Sequence, residues 1–125
     1  MILFKIKDDF DIYSWGSNTN YNLGNGHDMK KSNAEVVEFF KKLDTSVIQI
    51  VMSKFHTCFL TRNGLVYTCG FGVDGRLGHG DEEILMTPKQ IDCLKNFKCV
   101  QIAASRNNSY FIHIIMNFIM LNEFL

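Results

Sequence analysis

The chain has 125 residues, 46% of them hydrophobic and 13% aromatic, and its thirteen basic and thirteen acidic side chains leave no formal net charge. That length suits one domain, the apolar content excludes a disordered chain, and the missing basic surplus argues against nucleic-acid binding by counterion release. No stretch reaches the roughly 20 apolar residues that span a bilayer, and four cysteines without a secretory leader (Lys5 cuts the apolar start short) point to reduced thiols in the cytoplasm, with the nucleus as the alternative.

In chain order, the first turn falls at Asp8-Asp9-Phe10, where the aspartates are reasonable turn chemistry but no glycine is present. Asp11 to Gly16 leads into a glycine-rich loop, Tyr21-Asn22-Leu23-Gly24-Asn25-Gly26-His27. Lys30 to Thr45 is a longer connection, and Ala34 to Leu43 within it is expected to be helical, capped by Ser32 or Asn33. Val47 to Met52 and Thr57 to Leu60 read as strands. Thr61-Arg62-Asn63-Gly64-Leu65 is a hairpin signal, because Asn and Gly accept positive φ, and Leu65 to Cys69 is the return strand. A second glycine loop follows, Gly75-Arg76-Leu77-Gly78-His79-Gly80-Asp81-Glu82. Met86 to Ile91 is a fourth strand, which Pro88 confines to a sheet edge or a strand start. The strands read as apolar on both faces. Leu23 and Leu77 are expected to plug their glycine loops into the core.

These elements repeat. Tyr13 and Tyr67, Gly16 and Gly70, Leu23 and Leu77, Gly24 and Gly78, and Gly26 and Gly80 all lie 54 residues apart. Ile48-Gln49-Ile50 returns as Val100-Gln101-Ile102, and Ser53-Lys54 as Ser105-Arg106, at an offset of 52. The chain therefore divides into a first repeat at 1–61, a second at 62–112, and an apolar tail at 113–125. Three or four short antiparallel strands per fifty residues is the content of a propeller blade. The fold expected is all-β, a partial β-propeller of about two blades.

Tyr13-Ser14-Trp15-Gly16, the Gly-x-Leu-Gly-x-Gly element at Gly75 to Gly80, and the hairpin at Asn63-Gly64 resemble the regulator of chromosome condensation repeat. Within that superfamily, Tyr13 to Asn20, Lys54-Phe55-His56, Val66 to Gly70 and Gly75 to Glu82 are similar to the family of inhibitors of Bruton tyrosine kinase, and Cys69 in place of the usual Trp is a shared departure. The resemblance implies a seven-bladed ring in complete members, protein-binding surfaces and no active site. It also implies kinase inhibition and a substrate-adaptor role for cullin-type ubiquitin ligases, so the partners expected are proteins, a tyrosine kinase or a ligase component. The alternative within the superfamily is a nucleotide-exchange factor for a small GTPase. Exchange needs a wedge between blades, and Lys30 to Thr45 has no obvious wedge hairpin.

Other chemistries are weaker. Four Cys and four His (His27, His56, His79, His113) suffice in number for zinc, but no close ligand pair occurs. Cys58 lies two residues from His56, which on a strand does not make an activated pair. Gly70-x-Gly72-x-x-Gly75 has dinucleotide spacing without the helix that must follow it. No enzyme, cofactor or metal is expected. His27-Asp28 and His79, Asp81 and Glu82 form two small acidic loops, and these are the candidate partner-binding residues, because loops between blades are where propellers bind.

From Ile114 the repeat stops. Twelve of the sixteen residues from Tyr110 to Leu125 are apolar, with no turn signal. A truncated or misspliced end is the favoured reading over a buried strand or helix and over a membrane anchor. In the hairpin, Thr-x-Asn-Gly suits a three-residue turn with a bulge at Gly64. That register places Cys58 against Thr68 rather than Cys69, leaving the two thiols neighbours without a disulfide.

Overall fold

In a computed structural model, residues 2–7, 11–43, 45–105, 109–113 and 118–120 are described. Among the described residues, ten strands carry the fold: β1 (Ile2–Lys7), β2 (Asp11–Gly16), β3 (Lys31–Val36), β4 (Val47–Met52), β5 (His56–Thr61), β6 (Val66–Gly70), β7 (Leu85–Gln90), β8 (Cys99–Ala104), β9 (Ser109–His113) and β10 (Phe118–Met120). They form three antiparallel sheets in the orders β1-β2-β3, β4-β5-β6-β7 and β10-β9-β8. Every sheet neighbour follows in sequence, so each sheet is a meander of the kind that builds a propeller blade.

The sequence offsets reappear as strand register. Ile2 pairs Gly16 as His56 pairs Gly70, and Ser14 pairs Glu35 as Thr68 pairs Lys89, all 54 residues on. Gln49 pairs Leu60 as Gln101 pairs Ile112, and Ile50 pairs Phe59 as Ile102 pairs Phe111, all 52 on. Even the irregularities copy: the break at Ser14/Gly16 recurs at Thr68/Gly70, and that at Val47/Gln49 recurs at Cys99/Gln101. The four-stranded sheet runs from Val47 to Gln90, so it takes two strands from each of the two sequence repeats.

Packing between sheets uses the same positions twice. One buried cluster joins Ile12, Val37, Phe40 and Val47 with Phe59, Tyr67 and Cys69; the other joins Val66, Ile91, Leu94 and Cys99 with Cys58, Leu60 and Ile102. Ile12, Val37 and Phe40 correspond to Val66, Ile91 and Leu94. Phe40 sits 4.8 Å from the Phe59 ring and 5.8 Å from Tyr67, and Phe4 meets the edge of Phe59 at 5.6 Å. Leu23 and Leu77 are buried as expected of loop plugs.

The helix expected over Ala34 to Leu43 is reduced to one turn, α1 (Glu38–Lys41), and neither Ser32 nor Asn33 caps it. Both lie in β3, because the backbone of 31–36 is taken up by pairing with β2. A four-residue helix has no stability of its own, and burial of Phe40 holds this one in place. Leu85–Gln90 is the edge strand expected around Pro88.

The strands are less apolar than their pattern suggests. β5 and β6 are buried along their whole length, yet His56, Thr57, Thr61 and Thr68 are among the buried residues, while β4 and β7 are partly exposed. In the hairpin, Thr61 N–H donates to Leu65 O and Gly64 N–H to Thr61 O, each at 2.9 Å, and Cys58 pairs Thr68. This is the bulged register. The two thiols are neighbours without a bond, as expected. Since Thr68 shares a face with Cys58, Cys69 points to the other face and the two join different core clusters, yet Cys58 is near enough to add to the rise that burial gives the Cys69 thiol. Neither forms a disulfide.

The first turn at Asp8 to Phe10 lies outside the described residues. So does most of the tail, except that Phe118–Met120 forms β10 against β9.

Candidate functional site

The two glycine loops each connect the last two strands of a sheet, residues 17–30 between β2 and β3 and 71–84 between β6 and β7. A hydroxyl anchors each loop. Ser14 Oγ donates to Leu23 O at 2.9 Å, and Thr68 Oγ1 donates to Leu77 O at 2.6 Å. These hydroxyls stand at equivalent positions, and sequence reading missed them although the offset of 54 displays the pair.

Amide side chains fix the first loop further. Asn18 Oδ1 accepts from Leu23 N–H at 3.2 Å, while its Nδ2 donates to His27 O at 2.6 Å. Asn22 Nδ2 donates to Ser53 O at 3.1 Å and Asn20 Nδ2 to Lys54 O at 2.9 Å, which ties the loop to the turn between β4 and β5 of the next sheet. Gly26 N–H donates to Met86 O at 2.9 Å, and a Cβ on Gly24 would press on Cys69 Sγ and Pro88 at 3.3 Å. The loop glycines therefore let one sheet's loop lie against the next sheet's outer strands.

In the second loop, Arg76 occupies the position of Asn22. Its guanidinium lies 4.6 Å from the Phe55 ring centroid and 5.8 Å from that of Phe71, with Nε donating to Val73 O at 2.7 Å and Nη2 3.2 Å from Asp74 Oδ2. Its side chain is only 4% exposed. His56 nearby is fully buried, with Nδ1 2.8 Å from Ser53 Oγ. Burial first, and the Arg76 charge second, push the His56 imidazole down to about 4, so it is neutral.

The candidate partner-binding residues divide by exposure. His27 is half-buried: its Nδ1 accepts from Met29 N–H at 3.1 Å, so Nε2 carries the proton and donates to Glu35 Oε2 at 2.9 Å. Partial burial opposes ionisation of Glu35, but the His27 bond and the Lys31 charge outweigh it and hold the carboxyl below its ordinary value. His79 Nε2 lies 2.9 Å from Thr68 Oγ1, whose hydrogen goes to Leu77 O, so His79 is the donor. Burial, then Lys89, lower its pKa against the opposing pull of Asp81 and Asp92. Asp28, Asp81 and Glu82 are exposed. Two of the second-loop carboxylates also shape their own loop, with Glu82 Oε1 accepting from Asp74 N–H at 2.9 Å and Asp81 Oδ1 from Glu83 N–H at 3.1 Å. Asp74, Asp81 and Glu82 line a shallow concavity of about 260 Å³ with Gly75 and Gly80.

The remaining motif residues serve the scaffold. Tyr67 is buried, Tyr13 and Trp15 are half-buried, and Asn63 Oδ1 accepts from the Thr61 hydroxyl at 2.5 Å. Gly16 and Gly70, at the ends of β2 and β6, adopt positive φ, as do Gly78 and the other loop glycines Gly24, Gly26, Gly75 and Gly80. Among the described residues, no group of three or more His, Cys, Asp or Glu side chains is placed to hold a metal ion, and no helix is long and apolar enough to cross a membrane. Cys69 and Cys99 are buried, which raises both thiols, Cys99 to about 11. Such thiols are poor nucleophiles. The surface these loops offer is one of exposed carboxylates on a rigid, internally hydrogen-bonded frame.

Comparison with known proteins agrees with this frame. The family model of the regulator of chromosome condensation (RCC1) repeat matches residues 11–60 and 63–112. The chain is 42% identical over 108 residues to the human inhibitor of Bruton tyrosine kinase and 41% identical to the mouse protein, which covers 86% of this chain but 8% of theirs. It is 34% identical over 82 residues to a mouse RCC1-like G exchanging factor-like protein, 64% of this chain and 18% of that one. Human WBSCR16 superposes with a TM-score of 0.82 at 22% identity, over 95% of this chain and 31% of that one. Yeast Prp20p superposes with a TM-score of 0.78 at 23% identity, over 96% and 30%. The structure is thus an all-β partial propeller, and the chain belongs to the regulator of chromosome condensation (RCC1) repeat family.

Proposed function

We propose that the chain is a non-catalytic protein-interaction module that engages a tyrosine kinase and restrains it. The observation that carries this reading is the 42% identity to a protein named as the inhibitor of Bruton tyrosine kinase, across 86% of this chain. The exposed carboxylates Asp28, Asp81 and Glu82 are the residues proposed to meet the partner, since their loops are held rigid by their own backbone bonds and lose little entropy on binding. A substrate-adaptor role for a cullin-type ubiquitin ligase, in the cytoplasm or nucleus, is the finer form of the same proposal.

The test is a titration of the purified chain against Bruton tyrosine kinase, reading both binding and autophosphorylation. Saturable binding that weakens in an Asp28→Ala, Asp81→Ala, Glu82→Ala variant supports the reading, and no binding by the parent chain overturns it. A second reading rests on the 34% identity to the G exchanging factor-like relative. It requires that the chain accelerate GDP release from a small GTPase, which a fluorescent-nucleotide assay decides.

A further inference from the structure

Two Asn-Gly pairs occur in the chain, Asn25-Gly26 and Asn63-Gly64. In such a pair the main-chain nitrogen of the glycine can attack the asparagine side-chain carbonyl, since no Cβ hinders its approach. The bond from nitrogen to Cγ forms, the Cγ–Nδ2 bond breaks, and ammonia leaves with the proton that the glycine nitrogen gives up. Water then opens the cyclic imide to aspartate or to isoaspartate. The attack builds negative charge on Oδ1, so hydrogen-bond donors at that atom favour it and their absence hinders it.

The two sites are opposites in this respect. Asn63 is exposed at the tip of the β5-β6 hairpin, and its Oδ1 accepts from the hydroxyls of Thr61, at 2.5 Å, and Thr45, at 3.3 Å. The Thr61 hydroxyl also lies 3.1 Å from Leu65 O, but its one hydrogen goes to the nearer acceptor. Asn25 Oδ1 is buried and has no hydrogen-bond partner among the described residues. Its Nδ2, the group that would leave, is held at 2.6 Å by Glu35 Oε2. Each glycine N–H must give up a bond before it attacks. That of Gly64, to Thr61 O, closes the turn at the hairpin tip, whereas that of Gly26, to Met86 O, joins the first loop to β7 of the next sheet.

The products differ as well. A carboxylate at position 63 keeps both hydroxyl donors. At position 25 it sets a second negative oxygen against Glu35 Oε2 and leaves its other oxygen buried without a donor. We propose that Asn63 is a modification site, where the folded chain converts its own asparagine to an acid with Thr61 and Thr45 assisting, while Asn25 is protected until the protein unfolds. The aspartate product leaves the fold unchanged. The isoaspartate product adds one carbon to the main chain just before Gly64, whose carbonyl accepts from Cys99 N–H at 3.1 Å. Gly64 is packed so closely that a Cβ there would come within 2.9 Å of Lys98 Cα, so the added carbon loosens the joint between the second and third sheets.

The experiment incubates the 125-residue chain at pH 8, native and in denaturant, and follows the amide-to-acid mass gain at each site by peptide mapping. In denaturant the two sites should convert at similar rates. In native buffer Asn63 should convert about tenfold faster than Asn25, or more. Thr45→Val removes one donor and should slow Asn63 about fivefold in native buffer, the rate equivalent of one net hydrogen bond, with no change in denaturant. Asn63→Asp should melt with the parent and Asn25→Asp below it. No conversion of Asn63 in the native chain overturns the proposal, as do equal native rates at the two sites. The same native rate in Thr45→Val and the parent also overturns it, and so does an Asn63→Asp protein that melts as low as Asn25→Asp.

Discussion

The hydroxyl of Thr68 gives its one hydrogen to Leu77 O and takes one from His79 Nε2, at 2.6 and 2.9 Å, in the middle of a buried strand. Thr68→Val keeps the shape and removes both bonds, which leaves a buried carbonyl and a half-buried imidazole without partners. The expected loss is about 1 to 3 kcal/mol, the cost of orphaned polar groups. It is read as a drop in the denaturant midpoint with an unchanged slope. Ser14→Ala tests the same bond in the first loop, and the two losses should be of similar size.

A bridge between sheets makes Gln49 unequal to its own repeat copy. Gln49→Ala removes both bonds to Ile102, for an expected loss of about 1 to 3 kcal/mol. Gln101→Ala touches an exposed side chain and should stay within about 0.5 kcal/mol of the parent. Equal losses from the two would show that Gln49 stabilises β4 alone and not the sheet-to-sheet contact.

The repeat was legible because it is written in glycines and aromatic residues, whose spacing survives as strand register. The Asn63-Gly64 turn was legible for a local reason, since its bond pattern closes within five residues. Gln49 was not. A glutamine between two aliphatic residues reads as the solvent side of a strand, and nothing local marks a partner 53 residues away. The strand at 31–36 was missed similarly: Lys31-Ser32-Asn33-Ala34-Glu35 carries no alternation, and pairing to β2 overrides its weak local preference. Among the candidate partner residues, the histidines looked exposed in sequence because their partners, Glu35 and Thr68, lie eight and eleven residues away.

Two glycines, Gly70 at the end of β6 and Gly80 in the loop that follows, should respond very differently to alanine. A Cβ on Gly70, at φ +121°, would come within 2.5 Å of Phe55 O and 2.8 Å of His56 Cα, and neither backbone atom can move cheaply. Gly80, at φ +78°, has nothing within 4 Å of the same added atom. Gly80→Ala therefore costs only backbone strain, about 1 to 2 kcal/mol. Gly70→Ala adds a steric clash of about 1 to 3 kcal/mol and should melt markedly lower. The ranking, checked by thermal denaturation, matters more than either value.

The cysteines offer a chemical readout of the fold. Cys58, Cys69 and Cys99 are buried and Cys93 is exposed. In native buffer at pH 8, iodoacetamide is expected to modify Cys93 alone, and all four cysteines after unfolding. Mass spectrometry of the native reaction showing rapid double modification would mean that the hairpin opens, or that the cluster around Cys99 is not formed.

Acid should destabilise the protein through His56 in a defined window. An unfolded chain protonates this imidazole near its ordinary 6.5, whereas the folded one does so only near 4. Between those values the unfolded state holds the extra proton, so stability rises with pH across the window and, for this group, is level above it. Going from pH 7 to pH 4 should therefore remove on the order of 3 kcal/mol. His79, lowered by burial, acts in the same direction. Carboxylates contribute to any acid transition, so the decisive comparison is with His56→Asn, which places there the residue found at the corresponding position, Asn108. Denaturant midpoints at pH 7 and pH 4.5 should fall less in that variant than in the parent. An identical fall in both would show that His56 is already protonated in the folded protein and that its burial beside Arg76 does not keep it neutral.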